Sequence, residues 1–149
     1  MQANAMEDQQ ALELTKADFE ALAGFRFGIR RYLRFSEQTV RSHGLTPQHY
    51  QLLLALKGLP GRERATMSEL ADRLQLRQHS VGELVNRAQT QGLVPRTPHP
   101  PDARAVQVQL TPHGQHALAR LSALHRDELR RMGSLLTLPM WGEAADGDA

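Results

Sequence analysis

Apolar residues along this chain change their period several times, and each change marks an element. Phe19, Leu22, Ala23, Phe25, Phe27, Ile29, Leu33, Phe35 and Val40 recur at helical spacing from Thr15 onward, with arginines between them. The spacing puts apolar surface on more than one side of a long helix, so that helix needs more than one packing partner. Thr15 can cap it, and Asp18 and Glu20 sit in the first turn, where the helix dipole favours acids. Ser42-His43-Gly44 ends it, with Gly44 as a left-handed C-terminal residue. Thr46 and Pro47 open the next helix as cap and first helical position, and Tyr50, Leu53, Leu54 and Leu56 form its apolar stripe. Gly58-Leu59-Pro60-Gly61 stops that helix, and Arg62, Glu63 and Arg64 read as a solvated loop.

Thr66 with Glu69 makes a capping box for a short helix over 67–74, buried through Leu70, Ala71 and Leu74. A turn at 75–77 leads to a second helix over about 78–91. Its core face is Val81, Leu84, Val85 and Ala88, at i, i+3, i+4 and i+7, and Gly92 caps its end. Residues 93–97 then read as a short strand. Pro98, His99, Pro100 and Pro101 cannot continue a paired sheet and make a tip. Ala105–Leu110 alternates apolar and polar, the period of a half-buried strand. Thr111-Pro112 repeats the cap-plus-proline start, and a helix runs to about Met132. Helix, turn, helix, strand, tip and strand in that order describe a helix-turn-helix with a β-wing. The fold class expected is α+β, mainly α.

Composition narrows the possibilities. Of the 149 residues 40% are hydrophobic, no apolar run approaches the roughly 20 residues of a membrane span, and residues 1–23 lack a secretory pattern, so a cytoplasmic protein is expected. The absence of cysteine excludes disulfides, thiolate metal sites and thiol redox sensing. The net charge of +2 hides an asymmetry. Residues 24–131 hold 17 Lys/Arg against 8 Asp/Glu, a balance of +9, while the two ends together hold 1 against 8, a balance of −7. A basic body between acidic ends suggests an anionic partner for the body, since clustered cations gain phosphate affinity through counterion release.

The helix over 78–91 suits such a partner. Opposite its core face lie His79, Gly82, Glu83, Asn86 and Thr90, flanked by Ser80 and Arg87. Gln78 and His79 stand at its start, where side chains and free N–H groups can reach bases or phosphates. Gly82 leaves room for close approach, Glu83 can accept from a cytosine amino group or hold a neighbouring arginine, and Asn86 can reach adenine. At the tip, Arg104 can enter a minor groove, and Asp102 two residues earlier can hold its guanidinium in direction.

These residues resemble the MarR family of winged-helix bacterial transcription regulators. The resemblance is carried by Leu45-Thr46-Pro47-Gln48, ELADRLQL over 69–76, SVGELVNRAQTQGLVPR over 80–96, the Asp-x-Arg at 102–104 and VQLTPHG over 108–114. It implies a homodimer whose N- and C-terminal helices interlock, with each winged-helix lobe on half of a pseudo-palindromic duplex operator. It also implies a repressor released by a small aromatic or carboxylate ligand. By position, Gln78, His79, Ser80, Gly82 and Glu83 would face the major groove, and Arg104, steadied by Asp102, would enter the minor groove. The expected layout is a disordered N-terminus over 1–14, a dimerisation helix over 15–45, a winged helix-turn-helix lobe over 46–111, a second dimerisation helix over 112–133 and a loose acidic tail over 134–149. The chain departs from the family pattern at Arg77, in a cap position where Ser, Thr or Asp is usual, at Asn86 and Ala88, and in the proline-rich tip. The region after Met132 is also short for a final helix. That leaves more of the dimer face to the helix of Phe19–Val40, with Leu124, Leu129 and Met132.

Other chemistry is weakly supported. His113 and His116 are three apart on one helix and could share a metal, but no carboxylate or cysteine stands at supporting spacing. His49, Tyr50, Arg30, Arg31 and Arg34 could line an effector pocket, but they read better as core and surface. No nucleophile elbow, phosphate loop, EF-hand or HExxH occurs, so neither an enzyme nor a cofactor is expected. A winged helix used only for protein–protein contact is the alternative function.

Overall fold

The structure is a computed structural model that describes residues 2–95 and 107–141. The chain divides into two compact units, residues 35–127 and residues 1–34 with 128–149. In chain order its elements are α1 (Gln2–Leu12), α2 (Lys16–Ser42), α3 (Pro47–Lys57), β1 (Arg64–Thr66), α4 (Met67–Leu74), α5 (Gln78–Thr90), β2 (Gln107–Gln109) and α6 (Pro112–Met132). A short 3-10 turn, Gly133–Leu136, follows.

The 35–127 unit has one core. Val40, Leu52, Leu53, Leu56, Leu70, Val81, Val85, Leu93 and Leu121 are almost fully buried there. The capping signals work locally. Leu45 N donates to Val40 O and Gly44 N to Arg41 O, which ends α2 with Gly44 at φ 83°. Leu93 N to Ala88 O and Gly92 N to Gln89 O repeat that motif at the end of α5. Thr46 Oγ1 accepts from His49 N at 3.2 Å at the start of α3. On α3 the buried face is His49, Tyr50, Leu52, Leu53 and Leu56; Leu54, expected in the stripe, is exposed. His125 lies deep in this core, stacked on Tyr50 with ring centroids 4.4 Å apart. Its Nδ1 meets Leu121 O and its Nε2 meets Ser36 Oγ, both at 2.7 Å. The Leu121 carbonyl can only accept, so Nδ1 donates to it.

The sheet differs from expectation. β2 pairs antiparallel with β1, in the register Arg64↔Gln109, Ala65↔Val108 and Thr66↔Gln107. Arg64, expected in a loop, therefore opens a strand, and residues 93–95 form none. Leu93 and Val94 are both buried, so side chains there do not alternate. The carbonyl of Leu93 is occupied by Thr111 N at 3.1 Å, which ties the exit of α5 to the start of α6. The remaining residues of the expected strand, 96 and 97, and the tip itself lie outside the described residues.

In the other unit, residues 2–12 form a helix, whereas 1–14 is expected to lack structure. No residue of α1 is buried, so helix propensity in Ala, Gln, Glu, Met and Leu accounts for it rather than packing. Thr15 and Asp18 cap each other's backbone at the start of α2, and Asp18 Oδ1 also accepts from Trp141 Nε1 at 2.8 Å. A Cβ on Gly28 would stand 2.0 Å from Leu135 O, so this glycine permits the 3-10 turn to lie against α2. Residues 133–141 thus have defined contacts where a loose tail is expected. Phe19, Leu22, Phe27, Leu33 and Leu129 are exposed, while Met132 is buried within the chain and unavailable to a partner.

Candidate nucleic-acid interface

The helix-turn-helix is built from local signals. Thr66 caps α4 with its hydroxyl accepting from Glu69 N at 3.2 Å, and Glu69 Oε1 returns to Thr66 N at 3.3 Å. Arg62 forks onto both carboxylate oxygens of Glu69. That guanidinium holds the Glu69 carboxyl below its ordinary value. α4 ends at Gln75 in the left-handed region, φ 53°, with its N–H returning to Ala71 and Asp72. This reversal, not a glycine, makes the turn, and it was not legible in the sequence because Gln rarely occupies that conformation.

α5 starts at Arg77, whose side chain makes no capping bond. Val81, Leu84, Val85 and Ala88 are all buried, so the apolar stripe is fully used against the core. Gln78, His79, Glu83, Asn86 and Arg87 are exposed, while Ser80 and Gly82 are half-buried. Nothing lies within 4 Å of a Cβ built on Gly82, so its outer side is open. The result is one polar face along a 13-residue helix about 20 Å long. Glu83 meets His79 Nε2 at 3.4 Å, so its neighbour on the helix is an imidazole rather than an arginine. Asn86 O accepts from Thr90 Oγ1 at 3.2 Å.

Charge around this face is predominantly positive. Glu63 is paired with Lys57 at 2.5 Å and Glu69 with Arg62. Arg64, Arg73, Arg77 and Arg87 are exposed and have no carboxylate partner among the described residues. Arg64 and Arg73 are not candidates from sequence, and Arg77 stands out there only as an unusual cap. No acid lies three or four residues from Arg64 or Arg77, and Glu69, four residues before Arg73, is engaged by Arg62, which only the fold makes readable. Asp102 and Arg104, the sequence's minor-groove pair, lie outside the described residues. His113 and His116 are exposed near the start of α6, and His125 is apart from them in the core.

Comparison with known proteins agrees with this architecture. The sequence pattern of the MarR family matches residues 43–105. A protein of Thauera aromatica assigned to transcriptional regulation of the hcr operon is 30% identical over 112 residues, which are 73% of this chain and 66% of that protein. The chain belongs to the MarR family. It spans about two thirds of that relative's length. Among solved structures, the MarR family transcriptional regulator AbsC of Streptomyces coelicolor superposes with a TM-score of 0.68 and 25% identity, covering 85% of this chain and 84% of that one. A MarR family protein of Bacillus stearothermophilus gives 0.63 at 23% identity, covering 79% of each chain. Apo MarR of E. coli gives 0.59 at 21%, covering 74% and 78%. The MarR winged helix-turn-helix fold is thus established on both sequence and shape, and no described helix is long and apolar enough to cross a membrane.

Proposed function

We propose that this MarR-family chain is a sequence-specific duplex-DNA-binding transcriptional regulator that acts as a homodimer on a pseudo-palindromic operator. The observation that carries the reading is the division of α5 into a fully buried apolar stripe and an exposed polar face. A helix braced from behind and polar in front is what the major groove accepts. In this reading Gln78, His79, Ser80, Gly82, Glu83, Asn86 and Arg87 face the major groove. Arg104 enters the minor groove with Asp102 steadying it, and Arg64, Arg73 and Arg77 serve the phosphates. Exposed Phe19, Leu22, Leu33 and Leu129 support a second copy as the partner of the long helices. Half-sites then lie about one helical turn apart. Family likeness further supports a repressor released by a small aromatic or carboxylate ligand.

A gel shift with the DNA upstream of the protein's own gene, followed by duplex selection, tests the reading. Retardation that weakens steeply with salt is expected. Failure to retard that DNA and every selected duplex would leave the winged helix as a protein–protein module. Release is tested in the same assay by adding small aromatic acids to the retarded complex.

A further inference from the structure

α2 carries a ridge of positive charge. Asp18, Leu22, Arg26, Arg30 and Arg34 are every fourth residue, so they form one row along the helix. Arg26, Arg30 and Arg34 are exposed and have no ion-pair partner among the described residues. No acid occurs between Glu20 and Glu37, and those two are held by Lys16 at 3.8 Å and Arg41 at 3.2 Å. Arg31 is turned over the Phe27 ring, 5.8 Å from its centroid, and stands off the row. Glu128 is held by Arg131 at 3.0 Å, and residues 129–141 contain no acid. Like charges four residues apart on a helix repel, so the row favours an anionic partner.

The head of the row shows where that partner comes from. Trp141 Nε1 donates to Asp18 Oδ1 at 2.8 Å, within the unit that also holds Arg26, Arg30 and Arg34. From there the chain continues with Glu143, Asp146 and Asp148 and no base, outside the described residues. We propose that residues 142–149 dock along the α2 ridge of their own chain, with Glu143, Asp146 and Asp148 on Arg26, Arg30 and Arg34. The lengths agree. At the helical rise the three arginines stand about 12, 18 and 24 Å beyond Asp18. Extended from Trp141, the three acids reach about 7, 17 and 24 Å. Helix side chains lean toward the N-terminus, which brings the guanidinium groups back toward the incoming segment. One exposed pair holds little, but three in register on a tethered segment act together. Each step of four residues turns the ridge by about 40°, so Arg30 and Arg34 stand to one side of Phe19 and Leu33. Those exposed apolar side chains stay open to a second copy. Docked there, the tail neutralises a row that would otherwise attract nucleic acid without regard to sequence.

The chain has no cysteine, so Gly147→Cys gives one site for a nitroxide label. Paramagnetic broadening of amide signals in the isotope-labelled full-length protein then locates the tail. At low salt the amide signals of Arg30 to Arg34 are expected to be lost, and to return at high salt as the charges are screened. Glu143→Gln, Asp146→Asn and Asp148→Asn together should keep those signals visible at low salt. Arg30→Gln with Arg34→Gln should do the same, and since both arginines are exposed this variant should melt like wild type. Signals that stay visible at low salt with the acids and arginines intact would overturn the proposal. So would broadening that persists at high salt, or that survives either set of substitutions. A mixture of isotope-labelled chains without nitroxide and nitroxide-bearing chains without isotope decides whose tail is docked. Broadening as strong there as in the doubly labelled chain would put the tail on a second copy and overturn docking within one chain. No DNA enters the test, so the docking and the DNA reading can fail separately.

Discussion

At the level of single residues, the least ordinary group is His49. It sits in the core of a family fold with a polar atom unsatisfied, faced by Arg87 from α5 and by the cationic or titratable His43, His113, His116 and Arg120 around a cavity. Its pKa in the fold lies below the unfolded value of about 6.5. The neutral ring is therefore favoured by folding. Stability from this group is fully present above about pH 6.5 and is lost as pH falls toward the folded value. Urea midpoints should decline from pH 7.5 to pH 5, and His49→Phe should show a shallower decline than wild type. Parallel curves for the two proteins would show that His49 has no part in the slope. Gly114 makes a second residue-level case. A Cβ there would stand 2.2 Å from Leu93 O, the carbonyl that also receives Thr111 N. Gly114→Ala must push α6 away from the end of α5, and a loss of about 1–3 kcal/mol is expected from overpacking. A denaturation midpoint equal to wild type would mean that the contact yields freely. The sequence announced Gly114 only as part of a family motif, because the need for glycine comes from a carbonyl 21 positions earlier.

Among elements, α5 joins stability to reading, and its two faces should separate by mutation. Leu84 is 3% exposed in the core stripe, so Leu84→Ala should lower stability by about 2–5 kcal/mol. Asn86→Ala and Arg87→Ala remove exposed side chains, so they should leave stability within about 0.5 kcal/mol and weaken operator binding. Operator titration beside urea unfolding checks both halves; loss of stability from the exposed pair would mean that the face is structural. The stripe was legible because Val81, Leu84, Val85 and Ala88 repeat at the helical period within one short window. The capping box of Thr66 and Glu69 was legible for the same reason, since both partners lie three residues apart. The sheet was not. Arg64, Ala65 and Thr66 are too few to show an alternation, and their partners are Val108 and its neighbours, more than forty residues later. Sequence reasoning placed a strand over 93–97, of which residues 93–95 form none, with Leu93 and Val94 both buried, while 96 and 97 lie outside the described residues. The site was legible to the same degree. The reading face followed from the stripe opposite it, whereas the unpaired arginines depend on segments that meet only in the fold.

For the whole molecule, charge and apolar exposure point to two different partners. Residues 24–131 carry a balance of +9, which belongs with phosphate. Phe19, Leu22 and Leu33 are 54%, 41% and 53% exposed. At about 100° per residue they fall within roughly 60° of one another on α2, a single stripe rather than a scatter. Three large apolar side chains on one line are a poor surface for an isolated chain and a good one for a second copy. Leu22→Glu with Leu33→Glu should therefore give a monomer by light scattering at concentrations where wild type is a dimer. Its far-UV spectrum should be unchanged, because neither residue is buried in the single chain. Operator affinity should fall much further than either substitution's distance from α5 would suggest, since a monomer holds one half-site and loses the second as a tethered contact. A variant that stays dimeric would move the interface off this stripe. A monomeric variant that binds the full operator as tightly as wild type would show that each lobe acts alone.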